Sequence, residues 1–116
     1  MSPQTSTLDN FWPFYVSQHL NPINRKLHAY GTTIAIIFAA ASLIWRAPLF
    51  AVAAVVSAYA LAWTGHFFFE KNRPATFTYP LLSLRADFRM YWLILRGEMD
   101  TEILLLTKEL KALRAG

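Results

Sequence analysis

HAYGTTIAIIFAAASLIWRAPLFAVAAVVSAYALAWTGHFFFE, residues 28–70, decides the fold. Between its end residues the only charge is Arg46. Ala29 to Trp45 is 17 uncharged residues and Leu49 to Phe69 is 21. The second length suits a bilayer-spanning helix and the first lies at the short limit. Trp45-Arg46-Ala47-Pro48 between them reads as a tight, interfacial connection. The pair therefore predicts a transmembrane helical hairpin. Ala39, Ala40, Ala41 and Ser42 can face Ala51, Ala54, Ser57 and Ala58 across it, and such small faces let membrane helices pack closely. Two all-round apolar helices buried inside a soluble protein would need more covering chain than the remaining residues supply.

The same stretch places two histidines. His28 and His66 each lie 19 positions from Ala47, about 28 Å along a helix at ~1.5 Å per residue. Both reach the open end of the hairpin. His19, just before the break Asn21-Pro22, can fold back to join them. These are the only histidines among 116 residues that contain no cysteine, so any metal is held by nitrogen and oxygen. Three imidazoles with open positions suit iron(II), and also zinc or another divalent ion. Glu70 lies four residues after His66, so a helix sets both on one face. It can bind the metal, orient His66, or pair with Lys71 or Arg73. Asn21 and Asn24 in the polar turn 20–27 can hydrogen-bond a ligand. Arg73, Arg85 and Arg89 have the charge and position to steer a carboxylate.

The flanks complete an all-α membrane domain over 1–116. An interfacial helix is expected at 7–19, capped by Thr7 or Asp9, with Phe11, Phe14 and Tyr15 as an aromatic face and Pro13 tolerated in its first turn. Asn24 is expected to cap the helix 29–45, and 49–69 forms the second span. Over 80–96, Leu81, Leu84, Phe88, Tyr91, Trp92 and Leu95 share one side of a second interfacial helix. Residues 98–115 form an amphipathic helix with the seam Met99, Ile103, Leu106, Leu110 and Leu113, fit to dock on the body or to pair in a homo-oligomer.

The charged fraction is 16 %, below the ~25 % usual for soluble domains. The net charge of +4 comes from residues flanking the apolar stretches, and no basic–aromatic strip marks a nucleic-acid partner. Arg25, Lys26, Lys71 and Arg73 outnumber Arg46, which predicts cytoplasmic termini and an open end on that side. The polar start, 1–10, does not read as a cleavable signal. Ser42 and Ser57 lie far from any histidine, which disfavours a serine nucleophile. Gly31 and Gly65 match no phosphate loop.

Two groups of residues carry a resemblance. Phe14-Tyr15, His19-Leu20-Asn21-Pro22-Ile23-Asn24 and His28 form the first. Gly65-His66, Phe69-Glu70-Lys71 and Arg73-Pro74-Ala75 form the second. Together, over roughly Phe11 to Tyr91, they resemble the membrane family typified by the yeast iron(II)-dependent 2-hydroxy fatty acid dioxygenase, in its short bacterial-type branch. In the longer yeast-type members further membrane segments and an Asp-His pair stand where this chain has one bend. The resemblance implies iron(II) on His19, His28 and His66, with Glu70 as ligand or orienter. It also implies a 2-hydroxy fatty acid and molecular oxygen as substrates, with the chain shortened by one carbon. The membrane would be the bacterial inner membrane or the endoplasmic reticulum. A non-enzymatic membrane scaffold or lipid-binding subunit, and a zinc-dependent lipid hydrolase, are the alternative readings.

Overall fold

A computed structural model describes residues 7–115. Five α-helices follow in order: α1 (Leu8–Ser17), α2 (Pro22–Trp45), α3 (Pro48–Thr64), α4 (Pro80–Leu95) and α5 (Met99–Ala115). A π-helical segment, Gly65–Glu70, continues α3, and a 3-10 turn, Ala75–Phe77, precedes α4. No strand occurs among the described residues. The chain is an all-helical protein with two helices long and apolar enough to cross a membrane, 22–45 and 48–70.

Local chemistry sets the helix ends. Thr7 Oγ1 accepts the Asn10 N–H at 3.2 Å and caps α1. Pro22, Pro48 and Pro80 open α2, α3 and α4, where a missing N–H costs nothing. Pro13 lies in the second turn of α1, not the first, because the helix starts at Leu8. α2 likewise starts earlier than the charge pattern implies. Asn21 supplies the cap, accepting the Ile23 N–H at 2.8 Å, so 22–28 is helix and Asn24 lies inside it. Arg46 ends α2 in the left-handed region (φ 50°), and Ser42 Oγ donates to the Ala47 carbonyl at 2.9 Å across the bend.

α2 and α3 pack along their length. Gly31 admits the Ala58 backbone, since a β-carbon there would lie 3.2 Å from the Ala58 carbonyl oxygen. Away from this seam Leu43, Ile44, Leu49, Val52, Val55 and Val56 are exposed, as lipid-facing side chains are. The packed core lies at the open end, where Phe11, Trp12, Tyr15 and Val16 of α1 meet Ala86 and Met90 of α4 and Met99 of α5. Phe11 and Tyr15 of the aromatic face of α1 are thus covered by protein, while Phe14 stays exposed. α5 docks through Met99, Ile103 and Leu106, while Leu104, Leu105 and Leu113 stay exposed. The Leu110 side chain lies outside the described residues.

α4 turns an unexpected face inward. Ser83, Ala86 and Met90 are buried, while Leu81, Leu84, Phe88, Trp92 and Leu95 are exposed. Its small and polar stripe covers the hairpin end and its apolar stripe faces out. An outward apolar stripe of this kind is what a helix lying along a bilayer surface presents to lipid.

Candidate metal centre

His19 follows α1, His28 sits in the second turn of α2, and His66 is in the π-helical segment. The bend between α2 and α3 and the fold-back of α1 bring all three together. Their ring centroids lie 4.7, 4.5 and 4.9 Å apart, each pair nearly perpendicular. All three are buried, His19 almost fully.

Each ring is oriented through Nδ1. His19 Nδ1 meets the Tyr15 carbonyl at 2.6 Å, and His28 Nδ1 meets the Asn24 carbonyl at 2.9 Å. His66 Nδ1 meets Asn72 Oδ1 at 2.7 Å. Asn72 Nδ2 donates to the Gln18 carbonyl at 3.1 Å, which fixes its amide with the oxygen toward His66. A carbonyl oxygen only accepts, so each Nδ1 carries the proton and each Nε2 a bare lone pair. His19 Nε2 and His28 Nε2 face each other at 3.3 Å. Burial, then the neighbouring His28 and His66, keeps the His19 pKa well below its ordinary value, so its imidazole is neutral.

Two lone pairs at that separation repel unless a cation lies between them. Nitrogens each ~2.0–2.1 Å from one ion sit roughly 3 Å apart, so the donor set fits a divalent metal. One ligand atom from each of the three histidines falls within 4.8 Å of the others. Among the described residues no other group of histidine and carboxylate side chains converges this way.

The other predicted residues lie elsewhere. Glu70 does not join the histidines; its carboxylate accepts the Asn21 N–H at the start of α2, where the helix dipole favours an anion. The wider π turn displaces it from the α-helical spacing, and Asn72 takes the orienting role on His66. Asn24 supports His28 through its carbonyl, but its side chain packs against the Gly65 backbone rather than facing a ligand. Both polar atoms of that amide are buried with no hydrogen-bond partner. Arg73 lies over the Phe77 ring at 5.1 Å, Arg85 is exposed, and neither lines the histidine cavity. Arg89 binds Asp9 at 2.8 Å. Arg25 donates to the carbonyls of His19 and Leu20 at 2.9 and 2.7 Å and so holds the chain that carries His19.

The structure adds residues that sequence reasoning passed over. A cavity of about 20 Å³, room for roughly one water, touches the three histidines and is roofed by Ser83 and Asp87 of α4. Ser83 Oγ is buried there with no hydrogen-bond partner. Tyr15 stacks on His19 at 4.0 Å between ring centroids, and its O–H donates to Asp87 Oδ1 in a short bond. Burial raises the Asp87 pKa to about 7, opposed by the Tyr15 hydrogen bond. Burial and Asp87 together push the Tyr15 pKa up, which keeps it a donor. The only sequence hint was an aspartate amid the apolar residues of α4; nothing in Asn72-Arg73-Pro74 marks Asn72 as the partner of His66.

Two predictions arise here. Asn72→Leu frees the His66 ring, and loss of such an orienting partner is expected to weaken metal binding about 10–100-fold in a chelator competition. Unchanged affinity would show that Asn72 does not set the ring. The second concerns Asp87. Its folded pKa lies above its unfolded value, so folding retains a proton that the unfolded chain releases. Its contribution to stability therefore falls as pH rises from about 4 to about 7 and is level beyond. Asp87→Asn keeps an acceptor for Tyr15 and removes the titration. In metal-free protein the stability difference, variant minus wild type, is expected to grow from pH 4 to pH 7, measured as ΔTm. The histidines titrate in both proteins and cancel in that difference. A pH-independent difference would contradict the shift.

A helical hairpin able to span a membrane, with three buried imidazoles poised for a metal ion at one end, defines a membrane protein with a histidine-lined centre. A family model described as 2-hydroxy-palmitic acid dioxygenase Mpo1-like matches residues 5–99, and the chain belongs to that family. No curated protein and no solved structure matches the chain.

Proposed function

We propose that the protein is a membrane-bound, iron(II)-dependent dioxygenase that shortens 2-hydroxy fatty acids by one carbon. The observation that carries this is the convergence of three buried imidazoles, one ligand atom of each lying within 4.8 Å of the others. Family membership supplies the substrate class. His19, His28 and His66 would hold the ion, and three protein ligands leave roughly three positions open. An iron(II) ion there would supply the one-electron chemistry that dioxygen requires. A 2-hydroxy acid would present its hydroxyl and carboxylate to such an ion, and breaking the C1–C2 bond yields the shorter acid, carbon dioxide and water from one dioxygen.

The protein's own groups do the rest. Tyr15, Asn24 and Asn72 hold the imidazoles in the metal-binding tautomer. Ser83 Oγ offers a free hydrogen bond to the substrate head. Asp87, with its pKa near 7, can hold the proton released by the 2-hydroxyl. Arg73 and Arg85 act, at most, at a distance by steering the carboxylate. The basic flanks favour a cytoplasmic open end.

The test uses protein purified anaerobically in lipid nanodiscs. The expected results are about one iron per chain after loading, and oxygen uptake with 2-hydroxypalmitate that yields the acid one carbon shorter. No bound metal, or metal without uptake, would overturn the proposal. Tight zinc with oxygen-independent turnover would establish the hydrolase instead. Retained phenotype with all three histidines replaced would establish the scaffold.

A further inference from the structure

A second, larger cavity carries an inference of its own. A groove of about 420 Å³ runs along the α2–α3 hairpin, beginning at His28 and Asp87. Both residues also line the histidine cavity, so the two spaces adjoin. From there Ala35 and Ala39 of α2 and Ala54, Ala58 and Ala62 of α3 lie along it, with Leu84 and Phe88 of α4 at the lip. On α2 the lining positions 28, 32, 35, 36 and 39 follow one helical face. The polar and titratable groups lie toward the histidine end, and the groove becomes wholly apolar farther along α2. That polarity matches a ligand with a polar head and one long hydrocarbon tail.

Length gives an independent check. His28 to Ala39 is eleven residues, about 16 Å at ~1.5 Å per residue. A zigzag of ~1.5 Å carbon–carbon bonds advances about 1.25 Å per carbon, so the groove holds about 13 carbons beyond the head. A 2-hydroxy acid of palmitic length has 14 carbons beyond C2.

We infer that this groove holds the acyl chain of the substrate, entering sideways from the bilayer, and that Ala39 and Ala54 at its far end set the chain length. The inference rests on the proposed function for the identity of the head group. A bulky ring at either position closes the last helical turn of the groove, about 5.4 Å or roughly four carbons.

The experiment has two arms. In the first, a 2-hydroxypalmitic acid with a diazirine near its methyl end is photolysed with metal-free wild-type protein in nanodiscs, and labelled peptides are mapped. Labelling is expected to concentrate around Ala39 and Ala54, and to fall at least tenfold when unlabelled 2-hydroxypalmitate is in excess. In the second, Ala39→Phe and Ala54→Phe are loaded with iron and given C12 and C16 2-hydroxy acids in competition. The C16-to-C12 ratio of kcat/KM is expected to fall at least tenfold in each, with C12 turnover kept. Labels scattered over the exposed face around Leu43 and Val56, or an unchanged ratio in both variants, would overturn the inference. So would cross-links joining two chains at Ala39, which would make the groove a helix-docking seam. If wild type takes up no oxygen yet labels map to the groove, the proposed function fails and the groove assignment stands. Oxygen uptake with scattered labels gives the reverse.

Discussion

His28→Ala is expected to weaken divalent-metal binding at least about 100-fold, because loss of a ligand exceeds the 10–100-fold loss typical of a partner that merely orients one. Binding only the folded state stabilises by RT ln(1 + [L]/Kd). At a metal concentration 100 times the wild-type Kd this is about 2.7 kcal/mol for wild type, and about 0.4 kcal/mol for a variant bound 100-fold more weakly. The metal-induced rise in Tm should therefore nearly vanish. The variant also loses the repulsion between facing lone pairs, so its metal-free stability should fall less than burial of an imidazole implies. Chelator competition and thermal unfolding with and without metal check both statements. A variant that keeps wild-type affinity would remove His28 from the site. The same loss is expected for His19→Ala and His66→Ala.

Gly65→Ala is the second large effect, although it touches no ligand directly. A β-carbon there would overlap the Asn24 amide oxygen and come within 2.9 Å of its Cγ and 3.2 Å of its Cα. Asn24 is fully buried, and its Cα as well as its amide stands in the way. Overpacking of this kind typically costs about 1–3 kcal/mol. Relief must come from the π-helical segment, and that segment carries His66, so metal affinity should fall with stability. The double variant with Asn24→Ala tests the cause. Asn24→Ala alone should cost little for so buried a residue, because its amide makes no hydrogen bond that would be lost. Combined with Gly65→Ala it should restore most of the lost stability, giving a coupling energy of about 1 kcal/mol or more. Strictly additive losses would sink this account.

The hairpin and the meeting of His28 with His66 were legible because both follow from counting. Charge-free length marks the spans, and equal distances from Ala47 survive any small error in helix ends. His19 joined them because Asn21-Pro22 marks a break that lets α1 fold back. What stayed hidden depends on angles rather than counts. The i,i+4 spacing of His66 and Glu70 assumes an α-helix, and a π turn there hands the carboxylate to Asn21 and the histidine to Asn72. Asn24 read as a cap because the polar run 20–27 looks like a turn, whereas Asn21 and Pro22 already start the helix. The apolar side of α4 is visible in its periodicity, but periodicity cannot say whether such a side faces protein or lipid.

That reversed face of α4 has a consequence for handling the protein. Ser83 and Asp87 close the histidine cavity from above, yet the apolar stripe of the same helix, Leu81, Trp92 and Leu95, touches no core. With α4 lying along a bilayer, as the proposed function places it, acyl chains would cover that stripe and lipid would act as an outer layer of the fold. Extraction into a poorly matched detergent is then expected to loosen that roof, read as faster amide hydrogen exchange in α4 than in α2 and α3. Lipid thickness and packing then become settings of the site itself, so loss of function on extraction would report a lifted lid rather than a damaged centre.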